Sequence, residues 1–296
     1  MIDTSAFTAQ MHVAHWGWTI ALFLWLVGLS GMGMFINHWL RERRLTWLCA
    51  FSAVAGTLLV MSHLTRILNL PAAAIHSLLS MSFNFSSWMF IGICLLVVQC
   101  VLTLFASLVL GGVLFRGGRS MRLVESRAFT GLAAATGVAV TLYSAFLLTQ
   151  AVGIPFWNTA MIPVLWLLSG LASALGAVEI LAALGRFEEA SLARLPHAAG
   201  LWVEVGELFA LFALLHVGSS AVSAAARAGA GSMLAGDASP LFWIGAVGCG
   251  AVIPLVIHLL TRERRALALG GAAALVGALC LRAAVLTAGY YEPTLL

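Results

Sequence analysis

Eight apolar runs dominate this chain, and they leave it few ways to fold. They cover roughly residues 13–38, 46–70, 87–115, 127–152, 160–185, 200–223, 240–261 and 266–290; a helix that spans a bilayer needs about 20 residues. Backbone polar groups in hydrocarbon must be satisfied internally, so runs of this length are expected to be helices. Hydrophobic residues make up 62% of the chain and charged ones 9%, against about 25% charged in a soluble domain. The expectation is an all-α membrane protein: one integral membrane domain over residues 1–296, with eight transmembrane helices gathered in bundles. The first run carries no small-residue cleavage site and reads as a retained helix. No internal repeat stands out.

Orientation follows from the arginines, because short cytoplasmic loops collect basic residues. All fifteen basic residues are arginine. Arg41, Arg43 and Arg44 follow run 1, and Arg116, Arg119, Arg122 and Arg127 follow run 3. Arg186 and Arg194 follow run 5, and Arg262, Arg264 and Arg265 follow run 7. Twelve of fifteen therefore fall on one side, which is expected to be cytoplasmic, with both termini outside. The net charge of +4 is then a topology signal rather than a nucleic-acid footprint. The chain reads as a multi-pass protein of the cytoplasmic membrane. Residues 71–86, 153–159 and 224–239 are read as outer connectors, the last Gly/Ala/Ser-rich and mobile.

Cys49, Cys94, Cys100, Cys249 and Cys280 lie in apolar runs without a CxxC pair, and are expected to be buried thiols. No metal site, zinc motif or iron–sulfur motif is expected on this chain.

Placed by depth at about 1.5 Å per residue, several polar groups reach one level near the outer surface. His12 and His15 open run 1. His63 and Arg66, three apart and so on one helix face, close run 2. Tyr143 lies in the outer half of run 4, and Arg282 in the outer half of run 8. Ionisable groups at membrane depth are costly and mark functional sites. A quinone suits this level: its oxygens need hydrogen-bond partners and its tail needs lipid. Histidine exchanges protons near neutral pH, a phenol donates or accepts, and arginine keeps its charge and steadies an anionic quinol. Trp16, Trp18 and Trp157 fit an interfacial aromatic belt. A second group lies in the inner half: Glu179 late in run 5, and Glu204 and Glu207 three apart in run 6. With Arg282 these carboxyls form a candidate proton path, although Glu204 also suits a helix cap.

Bis-histidine haem needs two histidines at matching depth on facing helices. His15 with His63, or His38 with His258, meets the depth condition, so a haem-b anchor remains an alternative. A secondary transporter is another, although the symmetry common in transporters is absent from the sequence.

Several stretches together resemble the NrfD/PsrC family, the polysulfide-reductase-type quinone-reactive membrane subunits. HWGWTIALFLWLVGLSGM (15–32) resembles the family's first helix, and SHLTR (62–66) its His-Leu-Gly-Arg-Pro motif. YSAFLL (143–148) and PFWNTAMIPVLWLLSGLASA (155–174) resemble its Tyr-Thr-Gly and Pro-x-Trp-Asn segments. PLFWIGAVGCGAVIPLVIHL (240–259) and LRAAVLTAG (281–289) resemble its last two helices. Thr65 and Ile67 replace the motif's glycine and proline, and Ser144 and Ala145 its Thr-Gly. The resemblance implies eight helices and a menaquinone or ubiquinone site, with no haem or iron–sulfur cluster on this chain. It also implies an iron–sulfur partner subunit and a molybdenum catalytic subunit on the extracytoplasmic face, the latter acting on the terminal substrate. The quinone-site histidine and tyrosine carry over onto His15 and Tyr143, and the second-helix histidine and arginine onto His63 and Arg66. His12, Trp157 and Asn158 are further candidate contacts to the quinone. The function expected is that of a membrane anchor and quinone/quinol-reactive subunit of a respiratory oxidoreductase.

Overall fold

The computed structural model describes residues 12–14, 16–63, 87–114, 117–187, 194 and 198–292, with His63 described as backbone alone. Among them are ten α-helices and one π-helix. They are α1 (Trp18–Leu40), α2 (Arg43–His63), α3 (Trp88–Leu110), α4 (Gly118–Glu125), α5 (Arg127–Thr149), α6 (Met161–Ala183), α7 (Ala199–Ser219), α8 (Ala224–Ala235), the π-helix (Leu241–Val252), α9 (Ile253–Leu260) and α10 (Arg264–Thr287). Eight segments are long and apolar enough to cross a membrane, the π-helix and α9 together forming the seventh. The protein is a multi-pass membrane protein.

Spans one to four (α1, α2, α3 and α5) pack as one bundle, and spans five to eight as another. The bundles meet along α1 and α5 on one side and α6 and α10 on the other. Lipid is as apolar as leucine, so packing in the membrane relies on small residues and polar links. Both are present. Gly31 of α1 meets Gly137 of α5, Gly176 of α6 meets Gly271 of α10, and Gly250 of the π-helix meets Gly277 of α10, each backbone to backbone. Gln99 Nε2 of α3 donates to Ser30 Oγ of α1 at 3.2 Å, and Ser107 Oγ of α3 to the Thr46 carbonyl of α2 at 3.2 Å.

The helix ends sort into two levels. At the arginine-rich end, Asn37 Nδ2 donates to Thr46 Oγ1 at 2.8 Å and Asn37 Oδ1 accepts from the Glu42 backbone N–H at 2.8 Å. These bonds fix the α1–α2 turn, where Arg41 takes the left-handed conformation with φ 57°. At the opposite end residues 12–14 meet residues 289–292. Val13 bridges Tyr290, the Ala14 N–H donates to the Gly289 carbonyl at 2.8 Å, and the Glu292 N–H to the Gly153 carbonyl at 3.0 Å.

Four local expectations change. The first helix does not open at residue 13, because residues 12–14 run extended beside the C-terminal segment. The loop after the third span contains α4, whose Val124 is buried while Arg119 and Arg122 face outward; an amphipathic helix of this kind rests at the interface. Residues 224–235 form a helix rather than a mobile connector. Alanine favours helix, Ser223 Oγ caps the first turn by accepting from the Ala226 N–H at 3.1 Å, and the small side chains allow Gly218 and Gly229 to pack against Phe156. Of the five free thiols, Cys49 is buried but Cys94 is exposed on α3, one of the segments apolar enough to face lipid.

Candidate functional site

Of His15, His63, Arg66 and Tyr143, the four residues expected to carry the quinone chemistry, Tyr143 is the one whose side chain the structure describes. It is buried in α5 with its ring against the bare backbone of Gly92 on α3, where any added Cβ would collide with the phenol ring and hydroxyl. One turn further along this interface Trp88 and Phe146 pack with ring centroids 5.6 Å apart. The Tyr143 hydroxyl thus lies at a helix–helix interface with an aromatic pair one turn away, and a phenol can donate or accept a hydrogen bond.

The other expected residues fall as follows. His15 and Arg66 lie outside the described residues. His63 ends α2, and its side chain lies outside the described residues too. His12 is exposed, and its carbonyl accepts from the Tyr291 N–H at 2.8 Å. Trp157 is fully buried, stacks edge-on against Trp16 at 5.1 Å and spends its indole N–H on the Val285 carbonyl at 2.8 Å. Asn158 is exposed in the turn before α6. A recess of about 50 Å³ lies between Trp16, Trp18 and Thr287 at this end.

The carboxyls toward the arginine-rich end converge on His258, a residue that the sequence offers only as a haem ligand. His258 of α9 stands between Glu179 of α6 and Glu204 of α7: its Nε2 is 2.7 Å from Glu179 Oε1 and its Nδ1 is 2.7 Å from Glu204 Oε1. Both ring nitrogens are therefore engaged. Two such bonds require protons on both nitrogens, or a proton on one of the carboxyls. Gly200 makes the room, since a Cβ there would lie 2.6 Å from His258 Cε1. A cavity of about 510 Å³ at the arginine-rich end reaches Glu179 and His258, with Thr261, Arg262 and Arg264 on its walls. His38, the other inner histidine, bonds through Nδ1 to Thr130 Oγ1 at 3.0 Å.

Deeper in the membrane, Glu207 is buried one turn above Glu204, and neither of its carboxyl oxygens meets a hydrogen-bond partner among the described residues. Arg282 is fully buried as well. Its Nη1 donates to Ser169 Oγ at 3.0 Å and to the Ala278 carbonyl at 2.8 Å, and the guanidinium lies 5.3 Å from the Trp166 ring centroid. Its Nε and Nη2 meet no partner among the described residues. From the cavity at the arginine-rich end the groups are thus His258 with its two carboxyls and then Glu207, one turn along α7 from Glu204, while Arg282 stands on α10 beside Gly28 and Ser169. Nothing in local spacing links His258 to the glutamates. Their common depth is the signal that was available.

Comparison with known proteins accounts for the whole length. The family model described as polysulphide reductase, NrfD, matches residues 7–293. One of the polysulfide reductase subunits of Wolinella succinogenes is 26% identical, covering 95% of this chain and 96% of its own length. Protein NrfD of Escherichia coli K12 is 27% identical, covering 98% of each sequence, and the NrfD homolog of Haemophilus influenzae is 24% identical over 93% of this chain. With a family match over nearly every residue and eight membrane-crossing segments in the fold, this chain belongs to the NrfD family of polysulphide reductase membrane proteins.

Proposed function

We propose that this chain is the quinone/quinol-reactive membrane subunit of a multisubunit oxidoreductase. It would exchange electrons between the membrane quinone pool and a docked iron–sulfur subunit, with a molybdenum subunit acting on the terminal substrate. The relative in W. succinogenes is by name one part of a polysulfide reductase, which supports a subunit role. The observation that carries the reading is Tyr143 packed over bare Gly92 in a chain that matches the family from residue 7 to 293. A bound quinol supplies two electrons and two protons. Tyr143 hydrogen-bonds a ring oxygen, His63 and His15 accept or return protons, and Arg66 offsets negative charge on the ring. His12 and Asn158, exposed at the same end, would stand at the mouth of the site, and Trp157, buried with its indole N–H on Val285, would back it by packing. The arginine distribution favours the extracytoplasmic side for this site, where the partner subunits dock. The test is His63→Ala in the intact complex. Quinol-linked turnover should be lost while assembly and turnover with a soluble electron donor persist. Normal quinol-linked turnover in that variant overturns the assignment.

The inner series supports a second element of the same function. Glu179, Glu204, Glu207 and Arg282 are proposed as stations of a proton path from the arginine-rich side, with His258 joining the first two. Such buried groups are expensive in a membrane and are retained where charge or protons move. In liposomes, Glu207→Gln should abolish quinol-linked pH change inside the vesicle while electron transfer continues. An unaltered pH change would remove Glu207 from the path.

A further inference from the structure

At the arginine-rich end, away from the carboxyl series, a recess of about 520 Å³ is walled by His38, Trp39, Arg41, Arg127 and Arg194. Among the described residues lining it, four are cationic or protonatable, one is aromatic and none is acidic. Three separate segments supply the arginines: the left-handed turn after α1, the first residue of α5, and the stretch between α6 and α7. Two contacts hold the walls in place. Arg194 Nη1 donates to the Trp39 and Leu40 carbonyls at 3.3 and 3.2 Å, which ties Arg194 to the end of α1. His38 Nδ1 meets Thr130 Oγ1 at 3.0 Å. That hydroxyl already donates to the Ser126 carbonyl at 3.0 Å, so it accepts from the ring and fixes the tautomer. The three guanidiniums are exposed and partly screened, and Arg41 and Arg194 also border the neighbouring cavity that holds Glu42 and Glu125. On the side of this recess, however, the three face one another with no acid between them among the described residues, so an anion there is favoured. Arginine's planar fork suits phosphate oxygens.

We propose that this recess binds the phosphate of an anionic phospholipid from the leaflet at the arginine-rich side. Inorganic phosphate would satisfy the same donors, but the surroundings favour a lipid. Trp39 is half exposed and stacks edge-on with Phe35 at 5.0 Å and with His38 at 5.1 Å. An aromatic track therefore runs from the basic hollow down α1 toward the hydrocarbon, where an acyl chain would lie. Basic hollows between spans on the cytoplasmic side are suited to such headgroups. By joining Arg41 at the end of α1, Arg127 of α5 and Arg194, the lipid would link groups from three parts of the chain at this end.

The test uses the full chain in detergent, titrated with phosphatidylglycerol, phosphatidylcholine or sodium phosphate, and read by thermal unfolding and by native mass spectrometry. Phosphatidylglycerol should raise the unfolding midpoint and remain bound in the mass spectrum, while the other two do neither. The double variant Arg41→Gln/Arg127→Gln should weaken phosphatidylglycerol binding about thirtyfold, at about fivefold per arginine. Arg127→Lys alone should keep most of it. Arg262→Gln/Arg265→Gln, at the same end but outside the recess, should leave it unchanged. Equal stabilisation by phosphatidylcholine, or equal loss in the Arg262/Arg265 variant, overturns the site. Equal stabilisation by sodium phosphate shows a free-anion site and overturns the lipid assignment. Should the double variant fail to fold, Arg127→Gln and Arg41→Gln singly carry the same comparison, and undiminished retention of phosphatidylglycerol in both overturns the proposal.

Discussion

Glu204 and His258, 54 residues apart in sequence, meet at 2.7 Å on the flank of the second bundle. Glu179 reaches the other side of the same imidazole at the same distance. One imidazole thus holds α6, α7 and α9 together. Removing one partner of a buried ionic contact costs about 3–5 kcal/mol. The lower end applies here, because His258 and Glu179 keep 15% and 17% of their side-chain exposure. His258→Gln should therefore destabilise the chain by about 3 kcal/mol. Glu204→Gln combined with His258→Gln should cost clearly less than the two singly added, because the groups share one contact. Unfolding midpoints of the four proteins measure this, and strict additivity would show that the contact is absent.

The Gly250–Gly277 contact makes a different prediction. A Cβ on Gly250 would lie 3.2 Å from Gly277 Cα, and one on Gly277 would run into the Gly250 backbone itself. Backbone cannot swing aside as a side chain can. Gly277→Val should therefore exceed the usual cost of overpacking, about 1–3 kcal/mol, and prevent accumulation in the membrane. Gly231→Ala on α8, where nothing lies within 4 Å of the added carbon, should accumulate as the wild type does. Membrane-fraction immunoblots compare the two.

Arg282 separates structural from functional cost. Its bond to Ser169 is buried, and a hydrogen bond to a charged group contributes about 1.5–3 kcal/mol, so Ser169→Ala should destabilise by about that amount. Arg282→Met leaves Ser169 Oγ without this buried partner, which costs about 1–3 kcal/mol. If Arg282 is a station for charge, Arg282→Met should destabilise about as much as Ser169→Ala and, unlike it, lose quinol-linked proton movement. Vesicle pH measurements beside a thermal melt distinguish the two effects.

The spans were legible in the sequence because hydrocarbon leaves the backbone a single choice, and the arginines sorted their ends. The convergence of Glu179, Glu204 and His258 was not legible: each sits on a different helix, and depth alone places them on a ring without saying which helices touch. The same limit hid Gly92 and Gly200, whose significance lies in the side chain on the facing helix. The π-helix was invisible because a run apolar on every face carries no periodicity to betray a wider turn. In α8, glycine and serine suggested a mobile loop, but alanine propensity and the Ser223 cap prevailed. Tyr143 was reached through depth and family resemblance, yet its packing surface was not.

That surface gives the last prediction. The missing side chain of Gly92 leaves the space that the Tyr143 ring occupies, so Gly92→Ala must push the phenol out of place without touching its chemistry. Tyr143→Phe does the reverse, keeping the ring and deleting the hydroxyl. If the hydroxyl binds a quinone oxygen, losing one such bond costs about 0.5–1.5 kcal/mol, or about two- to twelvefold in kcat/KM for quinol. Both variants should lose at least that much, while turnover with a soluble electron donor stays normal. A purely structural role predicts another pattern: Gly92→Ala lowers the unfolding midpoint and both activities together, and Tyr143→Phe changes neither. Steady-state kinetics with the two donors, beside a melt of each variant, decide between them.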